Sequence, residues 1–466
     1  MAEPWSVQLW LAAQAGRDDD VRRLLGCPAC TIDYERAIWL EIDDSDYKDR
    51  VDAIWRALDV TVCNDHVAST AAMLTAARAL DERSVELLHA AARNCSSSTL
   101  QLLLAYGVQV DEHFEGRSCV RVAAEHGHVN IAKVLVAHGA DVNSNISPLL
   151  DAAQAGDLDM AHFLLESKAV VDTGDDDFSA LLCAAQHKHW DVVELFLQRG
   201  AVVDAVDSCA GWTSLALAAM YGHCETAELL LCCKAAVDGA DSRSVPLAAA
   251  VERGHVAMAS LLLQHKAAVD KETGKFRQTP LMIAAGGGHV ESARLLLEHK
   301  ASVVHFGTHG MAPLACACDK GHVELAKVLL AHDAPVNLDV PLVHACDRGH
   351  LEVAKVLLDH KAAIDQTDRL QRTPLICAIR ANREPVVRLL VERGADIEWH
   401  LGPEGPPLAQ AVEYGHADLA EFLVSSKASV ECRGRNGATL LDMAMERETQ
   451  QWVRGNGTSE SRADTF

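Results

Sequence analysis

The sequence predicts an all-α repeat solenoid, in which short helix-turn-helix units stack one on another. Two observations carry this prediction. A nearly constant pattern recurs along most of the 466 residues, and each copy holds two apolar stripes at helical spacing separated by a turn. Helices shorter than about 12–15 residues are marginal in water. Each unit must therefore pack against its neighbours to be stable.

The clearest copy of the pattern is the stretch 279–304, TPLMIAAGGGHVESARLLLEHKASVV. Thr279 can cap a helix, and Pro280 fits the first helical position. Residues 286–289, GGGH, are expected to break that helix. A second apolar stripe follows, formed by Val290, Ala293, Leu296 and Leu297. The stretch therefore predicts two short helices packed back to back.

The same frame recurs at a near-constant interval. From Ser118 to Ala438, ten intervals span 320 residues, which is a mean of 32. The frame begins at Val85, Ser118, Ser147, Ser179, Thr213, Val245, Thr279, Ala312, Val340, Thr373, Pro406 and Ala438. A period of this length, with paired helices and a turn-rich connector, is typical of a solenoid.

Two motifs make the pattern specific. Thr-Pro-Leu opens the first helix at residues 279–281 and 373–375. The mid-repeat turn is Gly-His at Gly127-His128, Gly222-His223, Gly254-His255, Gly288-His289, Gly321-His322, Gly349-His350 and Gly415-His416. With these motifs and this period, the chain resembles the ankyrin-repeat family, with roughly twelve repeats. The resemblance implies stacked ankyrin helix-turn-helix repeats with β-hairpin fingers, as at residues 270–278 and 398–405.

The frame divides the chain into five segments. Residues 1–26 predict a first ankyrin-like repeat, and residues 27–84 predict an irregular helical segment, either degenerate repeats or a separate element. Residues 85–437 predict the regular ankyrin array. Residues 438–454 predict a C-terminal capping repeat, and the polar residues 455–466 a disordered tail.

One departure from the ankyrin pattern concerns the end of the second helix. The family usually has a left-handed glycine there, and Gly139, Gly200 and Gly394 keep it. Other residues replace it at Lys168, Lys234, Lys266, Lys300, Asp333, Lys361 and Lys427. A non-glycine residue in this conformation costs roughly 1 kcal/mol. A cation at a helix C-terminus recovers about 0.3–1 kcal/mol, so we expect a small net cost.

Composition limits the partners and the compartment. The formal net charge is −24 and no Lys/Arg-rich run occurs, which argues against nucleic-acid binding. No apolar run reaches about 18 residues, so no membrane span is expected, and the N-terminus lacks the basic region of a secretory signal. Many of the 15 cysteines occupy small apolar helix positions, such as Cys183, Cys316, Cys318, Cys346 and Cys377. This usage favours a reducing, intracellular location, the cytoplasm with the nucleus as alternative.

No catalytic residue, cofactor or metal site is predicted. The sequence has no nucleophile elbow, phosphate loop or HExxH run. The histidines of the Gly-His turns lie whole repeats apart, whereas a zinc site needs convergent ligands; we interpret them as turn-capping residues. The lone CxxC at residues 27–30 has no second pair and is interpreted as structural or incidental thiols.

The predicted function is non-catalytic protein binding, by a monomeric scaffold or adaptor that holds partner proteins on a concave ankyrin surface. The alternative is a regulatory or substrate-receptor subunit of an enzyme complex such as a ubiquitin ligase. The sequence does not favour it, because only about 58 irregular residues interrupt the array and no ligase-docking box follows it. Affinity purification with mass spectrometry would separate the two.

Aromatic residues in the predicted fingers are contact candidates. Phe276, Phe306 and Trp399 lie deep in these connectors, and exposed aromatic side chains often anchor interfaces. Trp212 and Phe178 each precede a frame start directly. Ankyrin proteins often fill that slot for packing between neighbouring repeats, so packing is the favoured interpretation of these two.

An acidic stretch is a second candidate surface. Residues 141–212 carry 13 acidic side chains against three basic ones, whereas residues 340–400 carry nine of each. The densest part is Asp175, Asp176 and Asp177, in a predicted finger. It would attract a Lys/Arg-rich segment of a partner protein. The alternative is a solvated charge run that aids solubility.

Asn143 is a candidate for hydroxylation. Residues 135–143, LVAHGADVN, resemble the Leu-x5-Asp-hydrophobic-Asn pattern that an asparaginyl hydroxylase modifies in ankyrin fingers. The alternative is a finger asparagine that bonds its own turn.

Overall fold

The computed structural model describes residues 5–25, 44–77, 83–143, 147–172, 179–207, 210–240, 243–307, 311–399, 405–434 and 437–444. Within these residues 26 helices form and no strand does. The chain divides into two compact units, Met1–Cys209 with Cys232–Lys234, and Ala210–Leu231 with Ala235–Phe466. The all-α class is thus as predicted.

The first unit consists of helices α1 to α12. Their bounds are α1 Trp5–Gln14, α2 Asp18–Leu25, α3 Asp44–Cys63, α4 Val67–Ala77, α5 Arg83–Arg93, α6 Ser97–Ala105, α7 Cys119–Glu125, α8 Val129–Ala137, α9 Pro148–Ala155, α10 Leu158–Glu166, α11 Ala180–Gln186 and α12 Trp190–Gln198. Odd-numbered helices contact one another in succession, and so do the even-numbered ones. This is the two-layer stack of a helical solenoid.

The second unit consists of helices α13 to α26. Their bounds are α13 Ser214–Tyr221, α14 Cys224–Cys232, α15 Pro246–Glu252, α16 Val256–Gln264, α17 Pro280–Gly287, α18 Val290–Glu298, α19 Pro313–Lys320, α20 Val323–Ala331, α21 Pro341–Arg348, α22 Leu351–Asp359, α23 Pro374–Arg380, α24 Glu384–Glu392, α25 Pro407–Tyr414 and α26 Ala417–Ser425. The odd-numbered first helices, α13 to α25, contact one another in succession.

The sequence explains where the first helices begin. At α17 the Thr279 hydroxyl accepts a hydrogen bond from the Met282 N–H, and Pro280 stands at the first helical position. Side-chain caps of the same kind come from Ser118, Ser147, Ser179, Thr213 and Thr373. Such a cap satisfies an N–H that has no partner within the helix.

Alanine and leucine fill the space between helices. Ala284 and Ala285 of α17 are fully buried, and so are Ala293 and Leu296 of α18. Small side chains let the first helices approach closely, and the leucines fill the space between the two layers. This is why an array with few aromatic residues can build a continuous core.

The end of α17 differs from the expectation. Gly286 and Gly287 were expected in the turn, but both lie inside the helix, and only Gly288 takes the left-handed conformation, with φ of 75°. They are the last two residues of the helix, where alanine would be the more favourable residue.

Part of the irregular segment 27–84 is helical. Residues 44–77 form α3 and α4, and α3 is 20 residues long. Helix α3 contacts α1 and α5, while α4 contacts α2 and α6. The pair therefore lies in the stack of the first unit.

The predicted left-handed positions at the ends of the second helices are confirmed. Every one of the seven non-glycine residues has positive φ: Lys168, Lys234, Lys266, Lys300, Asp333, Lys361 and Lys427. At the end of α18, the Lys300 N–H bonds the Leu297 carbonyl and the Ala301 N–H bonds the Leu296 carbonyl. These two bonds define a Schellman motif, so the backbone tolerates lysine where glycine is usual.

Lys300→Gly should therefore be neutral or stabilising by up to about 1 kcal/mol, because glycine removes the left-handed strain while the dipole interaction is lost. Lys266→Gly should behave in the same way. Urea denaturation followed by circular dichroism measures both. A loss of stability beyond that range would show that the lysine side chains make bonds the fold depends on.

The fingers are short. Isolated antiparallel bridges close three of them, between Phe114 and Arg117, between Thr273 and Gln278, and between Arg433 and Thr439. In the finger at 270–278, Arg277 also bonds Glu272 through its Nη2, 3.2 Å from Oε1. Each bridged finger is therefore a tight turn closed by a single β-bridge.

The described cysteines range from exposed to fully buried. Cys318, Cys346 and Cys377 are buried in the first helices, whereas Cys183 and Cys316, expected to be buried as well, are only partly so. Burial raises the pKa of Cys377 to about 12 and that of Cys316 to about 11. A thiol with so high a pKa is a weak nucleophile at neutral pH and acts as a small apolar side chain.

Candidate partner-binding surface

Histidines at the turn between the two helices of a repeat join neighbouring repeats. The His322 Nε2, in the turn after α19, lies 3.2 Å from the carbonyl oxygen of Gly286 in α17. Since a carbonyl only accepts, the Nε2 carries the proton. The same bond runs from His128 to Arg93, His189 to Gln154, His255 to Met220, His289 to Glu252, His350 to Asp319 and His416 to Arg380. We call this series the histidine ladder.

One repeat without a histidine at this turn keeps the rung. Asn382-Arg383 replaces Gly-His there, and the Arg383 Nε donates to the Asp347 carbonyl over 3.3 Å. The side chains of the ladder are therefore occupied with carbonyl oxygens. In the described residues no group of three or more His, Cys, Asp or Glu side chains could hold a metal ion.

A second series of bonds runs along the fingers. The Asn143 Oδ1 accepts from the Val170 N–H over 2.8 Å, and the Asn143 Nδ2 donates to the Lys168 carbonyl over 3.2 Å. Asn337 makes the equivalent bond to the Ala363 N–H over 2.8 Å. Asn143 is thus an exposed finger residue that bonds the next repeat. Its hydroxylation stays a prediction.

A groove of about 490 Å³ lies within the second unit. Its floor is formed by the first helices α15 and α17, and fingers form its walls. The lining includes Trp212, Arg243, Ser244, Glu252, Thr273, Phe276, Met282, Gly286, Gly287, His289 and Lys320. We call it the α15–α17 groove. Binding sites are commonly concave and lined by apolar and aromatic side chains with a few polar groups, which is the character of this one.

The structure separates the predicted aromatic contact residues. Phe276 lines the α15–α17 groove and is 39% exposed, with the Lys275 Nζ 4.8 Å from its ring centroid. Phe306 is 45% exposed and is not part of the groove lining. Trp399 is partly buried, and its Nε1 is enclosed without a hydrogen-bond partner. Of the three, Phe276 lies where a partner held in the groove would touch it.

Sequence reasoning missed Trp212 as a surface residue. It occupies the slot interpreted as packing, yet it is partly exposed and lines the α15–α17 groove. Nothing in the local sequence signals this, because the groove depends on side chains one and two repeats further along. Phe178 and the triplet Asp175, Asp176 and Asp177 lie outside the described residues, as does the CxxC at residues 27–30.

The charges at the far end of the groove are predominantly positive. The Asp319 carboxylate contacts Lys320 at 3.3 Å and Arg348 at 2.9 Å. Burial acts to raise the pKa of Asp319, but the hydrogen bonds from Arg348 and Lys320 outweigh it and hold that pKa below its ordinary value. Asp319 is therefore ionised at neutral pH and compensated by two cations, which leaves one positive charge in excess.

Comparison with known proteins identifies the class. A family model described as Ankyrin repeats (3 copies) matches residues 60–146, 149–242, 247–340 and 336–399. The matches cover more than half of the chain, so the chain belongs to the ankyrin-repeat family. Ankyrin repeats are interaction modules, and their presence implies binding to other proteins. No helix in the described ranges is both long and apolar enough to cross a membrane.

Individual relatives match over short stretches. The chain is 42% identical over 59 residues to the NF-kappa-B inhibitor cactus of Drosophila melanogaster, which is 12% of each chain. It is 35% identical over 74 residues to the Ankyrin repeat and SAM domain-containing protein 6 of Mus musculus, 16% of this chain and 8% of that one. A crystal structure of the human ASB11 ankyrin repeat domain matches with a TM-score of 0.40 and 31% identity, over 43% of this chain and 91% of that chain. The chain thus spans only a small part of the curated relatives it matches.

Proposed function

We propose that the chain is a non-catalytic scaffold or adaptor, cytoplasmic and monomeric, that binds a partner protein in the α15–α17 groove. The supporting observation is that Trp212 and Phe276 line one concave surface together with Met282 and backbone of α17. Partly exposed aromatic side chains in a concave site supply large contact area at low entropic cost, and such residues are the usual hot spots of protein interfaces.

The test compares partner capture by three forms of the full chain. Wild-type protein, Phe276→Ala and Leu370→Ala are used as affinity baits, and the captured proteins are identified by mass spectrometry. Leu370 is the matched control, since it is an exposed apolar residue at 58% outside the groove lining. Phe276→Ala should lose partners that wild-type protein and Leu370→Ala retain. Equal capture by all three would remove the groove from the binding model.

Cross-linking gives the position of the partner independently. A partner held in the α15–α17 groove should cross-link to Lys275 and Lys320, which lie at its rim and in its lining. Recurrent capture of ubiquitin-ligase subunits would instead support a substrate-receptor role. Cross-links confined to other residues would move the interface elsewhere on the chain.

A second binding surface is proposed at Asp175, Asp176 and Asp177, for Lys/Arg-rich segments. Replacing all three with Asn should slow association of such a segment and flatten its salt dependence, because long-range attraction between charges is screened beyond about 8 Å at physiological salt. The matched control replaces Asp365 and Asp368, which lie in a stretch of balanced charge. Equal effects of both sets would end this proposal.

Hydroxylation of Asn143 is expected in cells that contain an ankyrin-directed asparaginyl hydroxylase. Peptide mass spectrometry of protein from such cells should show an added oxygen on the peptide that contains Asn143. Asn337 is an internal control, because it makes the same finger bond but has Pro335 where Asp141 precedes Asn143. An unmodified Asn143 would leave only its structural role.

A further inference from the structure

Helix α17 has two glycines at the floor of the α15–α17 groove. Gly286 and Gly287 are both helical and both line the groove. A Cβ built on Gly286 would meet no heavy atom within 4 Å. Since glycine is an unfavourable helix residue, and packing in the folded chain leaves room for a side chain at residue 286, the fold does not explain this glycine.

The histidine ladder identifies the equivalent position in the other repeats. It is the residue whose carbonyl accepts the rung from the following repeat. In the other rungs this residue is Arg93, Gln154, Met220, Glu252, Asp319, Asp347 or Arg380. Among these described rungs, Gly286 is the one acceptor without a side chain. The space over Gly286, which we call the notch, is thus specific to one repeat, and the His289 ring against Gly287 bounds it on one side.

A buried hydroxyl without a partner lines the same groove. The Ser244 side chain is 3% exposed, and its Oγ has no hydrogen-bond partner. A buried unsatisfied hydroxyl destabilises the fold unless a ligand completes it. Ser292 has the same defect, is 1% exposed and does not line the groove. It therefore serves as a control for the purely structural effect.

The charge of the lining favours a negatively charged ligand. Lys320 lines the groove together with the carboxylate of Glu252, and Lys275 stands beside the lining residue Phe276. The Asp319 carboxylate that contacts Lys320 is shared with Arg348, so three cations stand against two carboxylates. This is a local excess of positive charge in a chain whose formal net charge is −24. An acidic ligand is attracted to such a site, whereas a basic one is repelled.

Building on the proposed function, we propose that the α15–α17 groove binds an extended acidic segment of a partner protein. An apolar side chain of that segment fills the notch over Gly286, between Met282 and the His289 ring. A carboxylate close to it in the segment faces Lys320. A polar atom of the segment completes the hydrogen bonding of the Ser244 hydroxyl.

The test uses random 16-residue peptides displayed on phage and selected on the immobilised full chain. Enriched peptides should combine a large apolar residue with Asp or Glu a few positions away. Fluorescence anisotropy with a synthetic copy of an enriched peptide then gives Kd for each variant. Gly286→Leu should weaken binding at least tenfold by filling the notch, and Lys320→Ala should weaken it and reduce its salt dependence.

Two pairs of variants separate binding from folding. Gly286→Ala should raise the midpoint of urea denaturation yet weaken peptide binding, which no structural role of the glycine would produce. Gln154→Leu, at the equivalent ladder position of the first unit, should leave the Kd unchanged. Ser244→Ala should weaken binding severalfold, while Ser292→Ala should not.

Each other outcome counts against a defined part of the proposal. Suppose the peptides bind Gly286→Leu and Gly286→Ala as tightly as wild type but fail to bind Phe276→Ala. The notch is then not part of the binding site, while the proposed function still stands. Enrichment of Lys/Arg-rich peptides overturns the acidic ligand. No enrichment, or binding unaffected by every groove variant, overturns both the acidic segment and the groove as the binding site.

Discussion

Leu296→Ala should lower the free energy of unfolding by about 2–5 kcal/mol. Leu296 is fully buried between α18 and its neighbours, and truncation leaves a cavity that backbone held by adjacent repeats cannot close. Urea denaturation followed by circular dichroism measures the change. The adjacent Leu295 is only partly buried, so Leu295→Ala in the same helix should cost clearly less.

The comparison within α18 tests the assignment of the helix face. Both variants remove the same atoms and have the same effect on helix propensity, so the difference between them reports burial alone. Equal losses from Leu295→Ala and Leu296→Ala would mean that α18 is rotated from the orientation described here.

Gly288→Ala should cost about 2–3 kcal/mol. Gly288 has a φ of 75°, and an added Cβ would lie 2.7 Å from Cε1 of His322. Left-handed strain costs roughly 1–2 kcal/mol, and displacement of the ring weakens the His322 rung to Gly286, which is worth about 0.5–1.5 kcal/mol. Chemical denaturation gives the total.

Gly139→Ala is the matched control for that variant. Gly139 is also left-handed, with φ of 93°, but a Cβ there would meet no atom within 4 Å. Its cost should be strain alone, about 1–2 kcal/mol. If both alanine variants lose the same stability, the histidine ladder contributes nothing measurable to the cohesion of the repeats.

The sequence was sufficient for the features that depend on local chemistry. Periodicity predicted the helix pairs, because each short helix needs one apolar face and a break on either side. The left-handed ends at Lys266 and Lys300 were also predictable, since alignment with Gly139 and Gly200 fixes the backbone at those positions. These features need no knowledge of distant contacts.

The features that sequence could not supply depend on neighbouring repeats. The histidines of the Gly-His turns were expected to cap their own turns. His223 does so, since its Nδ1 accepts from the Thr226 N–H, whereas the rungs of the histidine ladder reach a carbonyl in the preceding repeat, as from His322 to Gly286. Trp212 was assigned to packing from its position before a frame start. That assignment missed its exposure, which depends on residues one and two repeats away. Gly286 was expected in a turn because glycines usually end helices. The helix α17 nevertheless extends to Gly287, since packing against its neighbours also sets its length.

The exposed and the fully buried cysteines give this chain its own chemical reporters of local opening. Cys232 and Cys233 are exposed and should react with a thiol reagent at once, while Cys346 and Cys377 are enclosed within first helices. A buried thiol is modified only when its repeat opens, so its labelling rate measures how often that part of the stack comes apart. Mass spectrometry of labelled peptides, followed over time, would thus rank individual repeats by their opening frequency without any engineered probe.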